Sequence, residues 1–372
     1  MTQPFTAIDV ERWRAKVAST LPTAATIADG VVLAALYDGG PALSVPARVP
    51  GWACVQRIEP DVDIAVQTAE LQPGDVDALW LEHGDRPALV AAVIAALPPG
   101  AYAIVDGATE IPTDLARVRQ LSLATVDGAI ALHRRAPHVR TWCCDAGDGD
   151  PVEQLAAVIA GALAAVHAGL PADALALRIA LHGDTLVDIA KLRAARSLWH
   201  ACAHRLGIAA SVPIHARTRR HLGTHDDVDS HLVHATLDGF AAAVGGADTL
   251  TIERHDLRGA ANVGARRWAR NISHLLKSES GLDRIDDAAA GAYAIESLGD
   301  ELARAAWQCV RTKPLELDYD ALIAGLDRGS VGTDARWSTP EGIDVPAHPP
   351  ARVHALGMPG FAPYRRGPYP TM

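Results

Sequence analysis

Thiols, imidazoles and carboxylates recur where apolar runs end. Cys143, Cys144 and Asp145 close one run, His182 and Asp184 the next, His215 and Arg217 the one after, and Glu253 with His255 the last. If these ends share one mouth, thiolate, imidazole and carboxylate could hold a metal ion or divide acid, base and nucleophile roles. No pair shows a tight ligand spacing such as His-x-x-x-His on one helix, so no metal centre is expected. The simpler expectation is a polar cavity satisfied by its own side chains. An independent enzyme built here would use Cys144, Asp145, His215 and Glu253.

Two further groups have chemical potential. Lys191, Arg193 and Arg196 lie in DIAKLRAARSLW, where Ile189, Leu192 and Leu198 mark an apolar helix face, so the basic residues are expected on the solvated side. His215, His221, His225, His231 and His234 cluster in sequence, and ordinary solvated histidines are the expectation for that set. There is no Gly-rich phosphate loop followed by Lys, no G-x-S-x-G elbow and no basic-aromatic nucleic-acid patch.

The elements that must position these groups alternate. Strand-like runs fall at 52–58, 77–81, 101–105, 129–133, 139–144, 177–182, 212–217 and 249–253, with helical stretches such as 151–168, 186–206 and 228–244 between them. Eight short strands alternating with helices predict an α/β fold, a parallel (β/α)8 TIM barrel, with the open doubly wound sheet as the alternative. An amphipathic helix near 10–21 precedes the barrel. After about residue 312 prolines predict an extended arm. Three parts are therefore expected: residues 1–50 as an extension that contacts another subunit, 51–311 as the barrel, and 312–372 as a Pro-rich linker and arm. A weak internal echo joins the two ends: a helix followed by Ala28-Asp29-Gly30-Val31-Val32 resembles 318–326 followed by Pro340-Glu341-Gly342-Ile343-Asp344-Val345.

Composition narrows the function classes. The 372 residues are 49% apolar and 21% charged, ordinary for a soluble domain, and the net charge of −10 disfavours nucleic acid and anionic membranes as partners. No long uninterrupted apolar run and no signal-peptide core occur, and five scattered cysteines do not suggest a disulfide framework, so a cytoplasmic location is expected.

Residues 267–307 carry the most specific wording. Arg270-Asn271, Glu279-Ser280, Asp286, Gly291, Tyr293 and the run from Glu296 to Ala303 read as helix, small-residue turn and second helix. This segment resembles the one after the last barrel strand in the methylmalonyl-CoA mutase family, the adenosylcobalamin-dependent acyl-CoA mutases, and DIAKLRAARSLW resembles another of its hallmarks. Two-chain mutases pair a catalytic large subunit with a homologous small subunit that binds no cofactor, and the run from Ala242 to Thr251 resembles small-subunit wording. The catalytic barrel has a Tyr-His pair where this chain has Cys143-Cys144, a Gln where Arg217 stands, and a Leu-His-Thr-Asn run where it reads Leu250-Thr251-Ile252-Glu253. The resemblance thus implies a degenerate mouth at Cys143, Cys144, Arg217 and Thr251, with no catalytic residue and no metal.

No D-x-H-x-x-G motif occurs, so no cobalamin-binding flavodoxin-like domain is expected. No cofactor is expected on this chain alone, with adenosylcobalamin in the assembled complex. The implied partners are a homologous catalytic subunit in a heterodimer and, where it is a separate chain, a cobalamin-binding subunit, with acyl-CoA reached through the partner. The run from Met358 to Met372 resembles the arm that leads into the catalytic barrel, in which Tyr369, Thr371 and Met372 would line the CoA channel. A natural split donating this arm and a fragment of a longer fusion both fit. A protein that binds a mutase without catalysis is a third reading.

Overall fold

The computed structural model describes residues 10–19, 24–28, 31–34, 37, 39–69, 71–219, 228–256, 263–310, 315, 317–326, 336–338 and 342–346. Eight parallel strands form the centre: β1 (Ala53–Arg57), β2 (Ala78–Leu81), β3 (Tyr102–Ala108), β4 (Val118–Leu123), β5 (Trp142–Asp145), β6 (Leu175–Ala180), β7 (Ile214–Arg217) and β8 (Thr249–Thr251). The sheet order is β4-β3-β2-β1-β8-β7-β6-β5. Its two edges meet: Leu121 N–H donates to the Arg140 carbonyl at 2.8 Å and Arg140 N–H to that of Arg119 at 2.8 Å. The architecture is the expected (β/α)8 barrel, and it removes the sheet edges that an open sheet would expose.

The outer layer comprises α1 (Ile64–Thr68), α2 (Pro87–Ala95), α3 (Val126–Arg135), α4 (Pro151–His167), α5 (Thr185–Arg205), α6 (Val228–Val244), α7 (Val263–Ser278) and α8 (Tyr293–Cys309). Local chemistry sets their starts. Asp150 accepts from Val152 N–H with Pro151 in the first turn of α4, and Asp184 accepts from Leu186 and Val187 N–H at α5. Gly281, in the left-handed region at φ 62°, lies between α7 and a short 3-10 turn at Leu282–Arg284, as a helix stop requires.

One expected strand is wrong. Residues 129–133 are helical, inside α3, whose N-cap Thr125 accepts from Gly128 N–H. The fourth strand is VRQLSL at Val118–Leu123. Its inward Gln120 and Ser122 are polar, so the apolar period was hidden, while a four-residue Ala-Ile-Ala-Leu run cannot separate strand from buried helix.

Alternation along the strands separates two interiors. Leu79, Val105, Leu121, Leu177, Ile179, Ile214, Ala216 and Leu250 face outward into the apolar layers under the helices. A small cluster of Val55, Ala78, Trp80 and Ile104 is apolar within the barrel. Much of the remaining described lumen is polar. An N-terminal hairpin, Ala24–Ala28 paired with Val31–Ala34, packs on α8.

Candidate functional site

The lumen is built around Arg178, Asp106, Trp80 and His215, each supplied by an inward position of a different strand. Arg178 Nη1 lies 2.5 Å from Asp106 and 3.3 Å from Asp145. Its guanidinium stacks 4.4 Å above the Trp80 ring, a cation–π contact made where water is excluded. Asp106 also accepts from Trp80 Nε1 at 2.6 Å, Ser122 Oγ at 2.9 Å and Gln120 Nε2 at 3.0 Å. Four protein donors on one carboxylate satisfy it.

His215 has both ring nitrogens engaged. Arg178 Nε donates to its Nδ1 at 3.1 Å, and its Nε2 faces Thr251 Oγ1 at 2.8 Å. A nitrogen that accepts from guanidinium carries no proton, so this is the neutral tautomer with the proton on Nε2. Burial, then Arg178 and Arg217, hold its pKa well below the usual histidine range. The ring also meets Trp80 edge-on at 4.9 Å. These groups plug the barrel axis. A cavity of about 330 Å³ lies toward the N-terminal strand ends, lined by Tyr102, Gln120, Arg140, Ala176, His215 and Thr249, among others.

The residues at the C-terminal strand ends are tied up singly. Arg57 Nε pairs with Glu253 at 3.0 Å and Nη1 with Glu82 at 3.4 Å. Arg217 pairs with Asp148 at 2.6 Å, and Arg254 with Asp256 at 2.6 Å and Glu59 at 2.5 Å. His182 is exposed, Asp184 caps α5, and His255 stacks on Trp268 at 5.2 Å. Among the described residues no three His, Cys, Asp or Glu side chains could jointly hold a metal ion.

Of the four groups an independent enzyme would need, the structure does not assemble a set. Cys144 points outward, buried in the layer against α4, where a Cβ on Gly161 would lie 3.4 Å from its Sγ. Burial pushes its thiol up to about 12, so it is not a nucleophile at neutral pH. Cys143 faces inward, and burial raises its thiol too, against the pull of Arg178. Asp145 and His215 both serve Arg178, and Glu253 serves Arg57. Tyr369, Thr371, Met372, His221 and His225 lie outside the described residues. His231 is buried against the His255 carbonyl at 3.3 Å, not solvated, while His234 is exposed.

The basic residues of α5 are also a correction: all three are buried. Lys191 Nζ meets Asp188 at 2.9 Å, the Ala180 carbonyl at 2.7 Å and Gln154 at 3.0 Å. Burial pushes its ammonium down, with Asp188 opposing. Arg193 takes Asp287 at 2.9 and 3.0 Å and Glu296 at 2.8 Å. Arg196 takes Asp248 and the Gly246 carbonyl, each at 2.7 Å. Glu296 in turn accepts from Leu43 N–H at 2.7 Å and Gly291 N–H at 2.9 Å, fastening the N-terminal segment to α8. The helix is wrapped on all sides by α4, α6 and α8, which its short apolar spacing did not reveal.

Sequence reasoning missed Trp80, Asp106 and Arg178. A signal existed: Arg178 interrupts LALRIA and Asp106 follows the apolar Ala103-Ile104-Val105. A charge inside a strand with apolar outward neighbours belongs to a lumen.

A methylmalonyl-CoA mutase family model matches residues 143–313. A probable methylmalonyl-CoA mutase small subunit of Mycobacterium tuberculosis (strain H37Rv) is 33% identical over 264 residues, covering 67% of this chain and 40% of the relative. The small subunit of Streptomyces virginiae is 40% identical over 162 residues, covering 42% and 26%, and that of Propionibacterium freudenreichii subsp. shermanii 30% over 248 residues, covering 61% and 37%. The matches span two-fifths or less of these relatives' own length. These likenesses place the chain: it belongs to the methylmalonyl-CoA mutase family.

Proposed function

We propose that this chain is a barrel subunit of an adenosylcobalamin-dependent acyl-CoA mutase and supports a homologous catalytic barrel without catalysing the reaction itself. The observation that carries this reading is the plugged lumen. Arg178, Trp80, Asp106 and His215 fill the axis and engage one another, so an acyl thioester meets no free base or nucleophile there. The mouth also does not fit a corrin: Cys143 and Cys144 stand where the resemblance puts the family's Tyr-His pair, Cys144 points outward into the apolar layer, and His215 has no nitrogen to spare. No step of the reaction is therefore assigned to this chain's described residues. In the assembly, the cofactor would supply homolysis and radical rearrangement on the partner.

Residues 1–50 would contact the partner, 51–311 form the barrel, and 312–372 bring Tyr369, Thr371 and Met372 to the partner's CoA channel. The pairing is a heterodimer in the cytoplasm, joined by a cobalamin-binding subunit where that domain is a separate chain. No helix among the described residues is long and apolar enough to cross a membrane.

The test is a mutase assay with adenosylcobalamin and methylmalonyl-CoA or isobutyryl-CoA, with this chain alone and with a catalytic mutase chain from the same organism. Turnover only in the mixture, reduced when residues 360–372 are removed, is the expected result. Turnover by this chain alone, or a catalytic chain indifferent to its presence, would sink the proposal.

A further inference from the structure

The two ends of the chain carry the same device, and each uses the half that the other leaves open. Asp9-x-Glu11-x-Trp13 opens the first copy and Asp318-x-Asp320-x-Leu322 the second. Each contains a helix, Val10–Ala18 and Tyr319–Ile323, and each ends in an antiparallel hairpin. Ala24 pairs with Ala34, Ala25 with Leu33 and Thr26 with Val32; Arg336 pairs with Pro346, Trp337 with Val345 and Ser338 with Asp344. Aligning Gly30 with Gly342 in the sequence superposes all three pairs, so these strand residues share one register. A shared register specifies which face is buried.

Burial then splits the copies. In the first, the hairpin is docked on this barrel: Val31 is 0% exposed in the core beside α8. Its equivalent in the second copy, Ile343, is 61% exposed. The helices reverse the pattern. Leu322 is 0% exposed in the groove between α5 and α8, while its equivalent Trp13 is 36% exposed and residues 11–16 are all exposed. The groove is specific for its helix. Arg205 donates to the carbonyls of Leu322 at 3.0 Å and Ala324 at 2.8 Å, and to that of Ala321. Tyr319 Oη donates to Asp300 at 3.0 Å, and Arg304 pairs with Asp320 at 2.9 Å.

We propose that each copy is a bridge whose helix seats on one barrel and whose hairpin seats on the next. The helix at Val10–Ala18 docks through Trp13 into the α5–α8 groove of a homologous mutase barrel, with Glu11 taking the part that Asp320 plays against Arg304. The hairpin at Arg336–Ser338 and Asp344–Pro346 docks through Ile343 on the α8 face of such a barrel. The receiver is not a second copy of this chain, because Leu322 and Val31 already fill both seats here. The inference rests on the pairing proposed above and names the surfaces that make it.

The experiment measures the dissociation constant between the full chain and a catalytic methylmalonyl-CoA mutase chain from the same organism by sedimentation velocity. Trp13→Ala and Ile343→Asp should each raise it tenfold or more, whereas Val66→Ser, at an exposed apolar position on α1, should leave it unchanged. Thermal unfolding of each variant alone should match the wild type, since neither side chain is in this chain's core. Intact affinity in both variants, or loss in only one, overturns the two-way bridge while leaving the pairing standing. No association of the wild-type chains overturns the pairing and the bridge together. Self-association of this chain that Trp13→Ala abolishes overturns the choice of receiver.

Discussion

Arg193 on α5 and Arg178 in β6 are both buried, yet they do different work. Arg193 sits outside the barrel and ties α5 to Asp287 and Glu296. Glu296 also holds Leu43 and Gly291, so the cation organises the attachment of distant segments. Arg178 sits inside and shares Asp106 with Trp80, Gln120 and Ser122. The first cation is a tertiary fastener, and the second is half of a plug. Burying a charge is justified only where enough partners replace its water, and here the partners decide what the burial achieves.

The largest effect is expected at the fastener. Arg193→Met should cost about 3–5 kcal/mol, because two buried carboxylates lose their cation; urea unfolding monitored by circular dichroism measures it. Arg178→Met should cost less, about 1–3 kcal/mol, because Asp106 keeps three neutral donors. Equal losses in the two variants would break the distinction between fastener and plug.

A pH series sharpens the comparison. His215 is buried and neutral, so its folded pKa lies below its unfolded value of about 6.5. Below that pH the unfolded state binds a proton that the folded state refuses. Stability contributed by this site is therefore complete above about pH 6.5 and falls by up to about 1.4 kcal/mol per pH unit beneath it. His215→Gln should flatten that slope between pH 6.5 and 5, whereas Arg193→Met should retain it.

The smallest effect concerns the thiols. Cys144→Ala should cost about 1 kcal/mol, as a small buried group lost from an apolar layer. With the Cys144 thiol pushed up to about 12 and Cys309 exposed, a thiol reagent at pH 8 should label Cys309 first and leave Cys144 protected until unfolding. Early labelling of Cys144 would reopen the mouth as a reactive site.

Much of the fold was legible because the physics is local. Seven of the eight strands overlap the expected runs, since outward Val, Ile and Leu must repeat wherever a strand lies under helices. The fourth escaped because polar Gln120 and Ser122 fill its inward positions. The candidate site was less legible. Cys144 and Asp145 are neighbours in sequence, yet alternation sends one to the helices and the other to the lumen. The Lys191-x-Arg193-x-x-Arg196 phrase looked solvated because charge on a helix normally is, and nothing local announces Asp188, Asp287, Glu296 and Asp248 as its partners.

The sequence by itself determined the alternating pattern, the helix caps, the stop at Gly281 and the family wording, because these depend on residues a few positions apart. Tertiary structure alone decided that the axis is plugged and that the two echoing ends are docked in opposite halves. Those outcomes depend on groups such as Trp80, Asp106, Arg178 and His215, which meet only when distant strands close the barrel. Burial of Val31 and exposure of Ile343 differ for the same reason: equivalent residues become unequal when one barrel has a seat for only one of them.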